Sequence, residues 1–283
     1  MIYVSSCSVR ADSIRESVDT LAKAGIRNIE LTGGTRYYPE YEDDLLELKI
    51  KYDLNYLVHN YFPPPPEPFI LNLATLDEKV HKLSVEHCLN AIKLSRRLGC
   101  EKYGVHAGFL IDFSMSEVGK KIERRRLYDR AKAMKQFINA WNILKSEASK
   151  DIRLYIENNV ISSTNARTYQ GENPFLLTDY SGYQELKEHL EFTLLLDLAH
   201  LKVSVNSLDL DFSNEARQML SLTDYLHISG NDGLHDQNNG IENDVEIQGV
   251  LKQSDITGKT ITLEIYEGIP SILKSMEWLD LLN

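Results

Sequence analysis

The chain has 283 residues, 42% of them hydrophobic and 26% charged. A chain of this length buries about three quarters of its unfolded surface, and the composition excludes wholesale disorder, a collagen-like fibre and a disulfide-built miniprotein. Lysine and arginine total 31 against 42 aspartates and glutamates, a net charge of −11, so the chain has no general attraction to nucleic-acid phosphates or anionic membranes.

Three cysteines, Cys7, Cys88 and Cys100, form no C-x-x-C pair. An odd, scattered set argues against a disulfide framework or a cysteine-rich zinc site and for a reducing compartment. No apolar run approaches the roughly 20 residues of a membrane span. The opening Met1-Ile2-Tyr3-Val4 runs straight into a strand pattern, with no basic or cleavable leader. The expectation is a cytoplasmic protein with no membrane partner.

In chain order, β-branched or aromatic runs alternate with helical patterns. A strand at 2–7 precedes a helix at 13–24, where Ile14, Val18, Leu21 and Ala22 share a face and Gly25 supplies the stop. Strands at 28–31 and 56–59 enclose a helix at 45–52. Prolines 63–66 and Pro68 read as a rigid loop after the third strand. A long helix at 80–98 ends at Gly99 and leads to a strand at 102–106. A helix at 128–148 places Met134, Phe137, Ile138, Trp141 and Leu144 at helical spacing. Strands at 153–157, 193–198, 225–228 and 260–265 then alternate with helices at 184–190, 214–222, 247–252 and 269–282. Long loops follow the fourth strand (107–115), the fifth (158–181) and the seventh (229–244). The strands are largely apolar, as parallel strands buried on both faces are. Eight strand–helix units match a single-domain (β/α)₈ TIM barrel over 1–283, which takes about 250 residues. A doubly wound open sheet is the alternative. The barrel is preferred because the chemistry below needs strands 5 to 8 to converge.

Polar residues close these strands. His59, His106, Glu157, Asp197 and His227 stand at or next to strand ends, Glu264 lies near the end of the eighth, and Glu30 near the end of the second is a further ionisable group. A buried carboxylate or imidazole is costly without a partner. Taken singly, Glu157 reads equally well as an ion-pair partner and Asp197 as the cap of a following helix. Taken together, Glu157, Asp197, His227 and Glu264 come from four successive strands at equivalent places and point to one axis. Crowded carboxylates repel, and a divalent cation removes the conflict. Carboxylates plus an imidazole suit Mn²⁺, Co²⁺, Mg²⁺ or Zn²⁺ with positions left for substrate oxygens. His200, three residues after Asp197, reads as a supporting donor, a substrate contact or a second-metal ligand. The 227–240 stretch, with His235 and Asp236, reads as a loop folding over the site. Lys120 to Arg126 is basic, and reads as a solvated helix face.

At these residues the chain resembles the xylose-isomerase-like TIM barrels, which include sugar isomerases and epimerases and the metal-dependent apurinic endonucleases. The resemblance spans nearly the whole chain. It rests on Val58-His59-Asn60-Tyr61, Leu71-Asn72-Leu73-Ala74, Val105-His106-Ala107-Gly108, Ile156-Glu157-Asn158, Asp197-Leu198-Ala199-His200, Leu226-His227-Ile228 and Leu263-Glu264. It implies that Glu157, Asp197, His227 and Glu264 form a shared metal site. In the endonuclease branch, His59 and His106 would join Glu157 on a second metal, and His200 would join an Asp-x-His pair on a third. Here that pair reads Asp236-Gln237-Asn238, and asparagine is a poor replacement for imidazole on zinc.

The expected activity is metal-dependent isomerisation or epimerisation of a sugar or sugar derivative through an enediolate. Of Glu157 and Glu264, one would remove the proton beside the carbonyl and the other return it. His59, His106, His200, Asn60, Tyr61, His235 and Asp236 would contact the small-molecule carbohydrate, with Tyr61, Phe62 and the proline run as an apolar wall. Lys202 is the only cation expected nearby, so a phosphosugar is not specially favoured. An apurinic endonuclease or an inosose-type dehydratase on the same barrel are the alternatives. Nucleic acid is not the expected partner; a second copy of the chain is a possible one, through the 278–282 tail or the loop after strand 5.

Overall fold

The computed structural model describes residues 1–282. Eight parallel strands close into a barrel in sequence order, β1 pairing with both β2 and β8. The strands are β1 Ile2–Ser5, β2 Asn28–Leu31, β3 Asn55–His59, β4 Lys102–His106, β5 Arg153–Glu157, β6 Thr193–Asp197, β7 Tyr225–Ile228 and β8 Thr260–Leu263. Ten α-helices lie among the described residues: α1 Ile14–Lys23, α2 Tyr41–Tyr52, α3 Glu78–Leu98, α4 Arg130–Ala148, α5 Ser163–Tyr169, α6 Tyr180–His189, α7 Leu198–Ser207, α8 Phe212–Leu220, α9 Val245–Lys252 and α10 Ile269–Asp280. This is the expected (β/α)₈ barrel. No helix among the described residues is long and apolar enough to cross a membrane, and the three cysteines are free.

Alternation along each strand sorts the core. Outward residues such as Val58, Ile156, Leu196 and Leu226 join the helices in one large apolar cluster. On the opposite faces, Tyr3, Leu57, Tyr155, Leu195 and Tyr225 form a separate buried cluster. Side chains two residues apart share a face, so Leu57, Tyr155, Leu195 and Tyr225 are followed on their own faces by His59, Glu157, Asp197 and His227. The apolar plug thus lies one layer below the strand-end polar residues, toward the N-terminal face. Register keeps the polar layer level: His106 is opposite Glu157, and Asp197 opposite His227.

Element ends shift by up to four residues, Lys120 to Arg126 does not form the expected helix, and four further differences bear on the site. β1 stops at Ser5, because residues 6–8 coil into a short 3₁₀ turn. β8 stops at Leu263, so Glu264 stands just past the strand. The stretch 158–181 holds α5, whose polar sequence carries no apolar period. The apolar run at 193–198 ends at Asp197, which caps α7, a helix allowed by one reading of Asp197 but given no bounds in the sequence. Leu198, Ala199, Leu201, Val203 and Val205 are all buried in α7, and a helix apolar on every side shows no stripe to read.

Candidate metal centre

Each side chain reaches the barrel mouth for a local reason. His59, His106, Glu157 and Asp197 are the last residues of β3 to β6, His227 is next to last in β7, and Glu264 follows β8. Their side chains point inward over the tyrosine layer. Gly104 clears space for the histidine beside it: a Cβ at that position would stand 2.8 Å from His59 Nδ1. Asn158 pins Asp197, accepting from its backbone N–H at 2.8 Å and donating to its carbonyl at 2.9 Å. Asp197 also caps α7, its Oδ1 accepting from the His200 N–H at 2.7 Å. Both readings of Asp197, helix cap and member of a polar cluster, therefore describe its position.

Glu157 is the hub. Its Oε2 lies 3.0 Å from His59 Nε2 and 3.1 Å from His106 Nδ1, and its Oε1 lies 3.1 Å from His227 Nδ1. Glu264 Oε1 approaches the same His227 nitrogen at 3.8 Å. Ligand atoms of Glu157, Asp197 and His227 all lie within 4.8 Å of one another; so do those of His59, His106 and Glu157, and those of Glu30, His59 and His227. Three of the four residues expected to share an ion thus meet in one group, with Glu264 beside them.

Many of these buried atoms have no hydrogen-bond partner: Glu30 Oε1, His59 Nδ1, His106 Nδ1, Glu157 Oε2 and both ring nitrogens of His227. They approach one another closely without hydrogen-bond alignment. Leaving so many polar atoms unmatched in an interior is expensive. A divalent cation would satisfy several at once, and the mix of imidazole and carboxylate donors fits Mn²⁺, Co²⁺ or Zn²⁺.

The electrostatics carry the same message. Burial, with Glu157 nearby, raises Asp197 to about 6. Burial, with Glu157 and Asp197, raises Glu264 to about 7. Burial alone would depress His227, but Glu30, Glu264 and Glu157 more than reverse this and hold it well above the usual imidazole range. Burial would raise Glu157, yet His106, His59 and His227 hold it well below the ordinary carboxylate value. Groups with raised values keep protons that a cation must displace, so affinity rises with pH until they are empty. We expect divalent-ion affinity to climb as pH passes through 6 and 7, with protons released on binding. Calorimetry in buffers of different ionisation enthalpy measures this; flat affinity from about pH 5.5 to 8 would contradict it.

The remaining expected contacts are mostly here. Asn60 is buried with both side-chain polar atoms unpartnered. Tyr61 lines the cavity above the cluster, in a positive-φ conformation (64°), and packs where a Cβ on Gly33 would lie. His200 is buried, its Nδ1 3.0 Å from the Asn158 carbonyl and its Nε2 3.4 Å from Asp236. His235 is not brought in: its ring is 66% exposed, pairs with Asp232, and is absent from the cavity lining. Lys202 is also not a site cation, because α7 turns it to Asp244 and Glu246, at 2.8 and 3.1 Å. Arg36 lines the cavity instead. Glu30, noticed in the sequence but given no role, lies wholly buried with its Oε1 2.8 Å from His227 Nε2.

Comparison with solved structures returns barrels of one kind. A D-tagatose 3-epimerase-like protein is 19% identical, with 100% of this chain and 98% of that one covered and a TM-score of 0.72. D-psicose 3-epimerase from Clostridium cellulolyticum, solved with D-tagatose, is 13% identical over 99% and 97%, with a TM-score of 0.64. Endonuclease IV from Thermus thermophilus is 13% identical over 99% and 98%, with a TM-score of 0.59. No curated protein matches the chain. The family described as xylose isomerase-like TIM barrel matches residues 18–282. With that match over nearly the whole chain, and a closed eightfold barrel beneath it, the protein belongs to the xylose isomerase-like TIM barrel family.

Proposed function

We propose that the protein is a divalent-metal-dependent isomerase or epimerase of a sugar or sugar derivative, a reading supported by epimerases among its structural relatives. The observation that carries it is the placement of two carboxylates, Glu157 and Glu264, on one histidine nitrogen at 3.1 and 3.8 Å, with different proton affinities. When bound, the cation supplies the positive charge that holds a carbonyl oxygen with its neighbouring hydroxyl and stabilises an enediolate. Glu157, Asp197, His227 and Glu264 would hold it. Glu264, beside the His227 nitrogen just past β8, takes the proton from the carbon beside the carbonyl. Glu157 stands as the second carboxylate for return of a proton. Asn60, His59, His106 and His200 offer hydrogen bonds to substrate hydroxyls, and Tyr61 closes the apolar side. The test is deuterium uptake from D₂O with Mn²⁺ across aldoses and ketoses. Label at the carbon beside the carbonyl is expected, and its absence across the panel would sink the reading. A product lighter by one water would reassign the reaction as dehydration.

A metal-dependent phosphodiesterase is the second reading. The grouping of His59, His106 and Glu157 favours it, as does the likeness to endonuclease IV. Against it stand Asn238 where a histidine ligand is wanted and the net charge of −11. Nicking of an abasic duplex decides between them.

A further inference from the structure

The cavity over the cluster holds about 810 Å³. Cavities of roughly 300–1,000 Å³ accept drug-sized ligands, so this one has far more room than one hexose ring fills. Its two ends differ. The floor is the carboxylate and imidazole layer. The mouth is apolar: Tyr37, Met115, Val118 and Tyr266 all line it and are 43%, 49%, 51% and 48% exposed. They come from the segments after β2, β4 and β8, and share the lining with Pro64 and Phe69 from the segment after β3. Large side chains are normally exposed singly; several gathered around one opening mark a binding surface. Arg36 is the one arginine among the described residues lining this cavity, and no lysine lines it. The cavity therefore offers room and apolar surface beyond what a sugar ring alone would use.

We propose that the substrate is a glycoside with an apolar, ring-sized aglycone, the sugar seated on the polar floor and the aglycone between Tyr37, Phe69, Met115, Val118 and Tyr266. This rests on the proposed sugar chemistry of the floor and names its substrate class. A consequence follows for the reacting group. The anomeric carbon of a glycoside is locked as an acetal, so the carbonyl needed for proton transfer is a ketone elsewhere on the ring.

Binding tests it without turnover. Methyl and phenyl glucosides of both anomeric configurations are titrated into Zn²⁺-loaded protein by saturation-transfer NMR. The phenyl compounds should bind at least about tenfold more tightly, the worth of partly burying one aromatic ring. Tyr37→Ala and Met115→Ala should each shrink that ratio. Both are surface side chains, and unchanged melting temperatures confirm that the variants are folded. Equal affinity for methyl and phenyl glucosides, no binding of either, or a preference that survives both substitutions would overturn the assignment. A phenyl preference with no isotope exchange on ring-ketone glycosides supports the cavity assignment and removes the reaction. Exchange on free ketoses without a phenyl preference supports the reaction and removes the aglycone pocket.

Discussion

Replacing Glu157 by glutamine should lower isotope exchange by about 10³-fold or more, the scale of a lost acid–base group in a preorganised site. The substitution keeps the shape and removes the charge that three imidazoles share, from His59, His106 and His227. Divalent-ion affinity should fall with it, and saturating metal should not restore exchange. Stability should fall as well, because the imidazoles that hold Glu157 ionised lose its charge. Deleting one partner of a buried ion pair usually costs about 3–5 kcal/mol because it strands the other. Here His227 keeps Glu30 and Glu264, which softens that loss. The expected signature is a lowered melting temperature for a still-folded metal-free protein beside a collapsed exchange rate. Exchange within about tenfold of the unmodified protein would remove Glu157 from the chemistry.

The barrel was legible because its strands are buried on both faces, which turns each into an apolar run. Inward phase then made the polar strand ends conspicuous: a histidine or acid closing such a run has no solvent to answer to. His59, His106, Glu157, Asp197 and His227 could be picked out for that reason, and they do converge. What could not be read depends on contacts between distant segments or on a helix without a stripe. Lys202 reads as near the site because α7, allowed only through Asp197 as a cap, shows no face; the helix turn carries the ammonium to Asp244. His235 shares a ligand-rich loop with Asp236, yet Asp236 lines the cavity and His235 pairs outside with Asp232. Adjacent loop residues carry no phase rule of the kind strands obey. Glu30 stood out as a charge in a buried strand, but its partners come from β7 and β8, at the far end of the chain.

Those partners give Glu30 a testable role. Its Oε2 accepts from the Tyr225 hydroxyl and, at 2.7 Å, from Thr262 Oγ1, leaving Oε1 to face His227 Nε2. Burial would raise this carboxyl, but His227 and His59 hold it below its ordinary value, so it stays ionised. An ionised carboxylate on one ring nitrogen keeps the proton there and leaves Nδ1, toward Glu157 and Glu264, as the donor for a cation. Glu30→Gln should therefore weaken divalent-ion affinity by about 10–100-fold, the usual penalty for losing such a partner, read by competition with a chromophoric chelator. Because Glu30 lies beneath the cluster and does not line the cavity, saturating metal should recover most of the exchange rate, where the Glu157 substitution recovers none. The ¹⁵N shifts of His227 should move with the substitution in the metal-free protein, which a purely packing role would not produce. Unchanged metal affinity together with unmoved His227 shifts would leave Glu30 as a core carboxylate held by Tyr225 and Thr262 and nothing more.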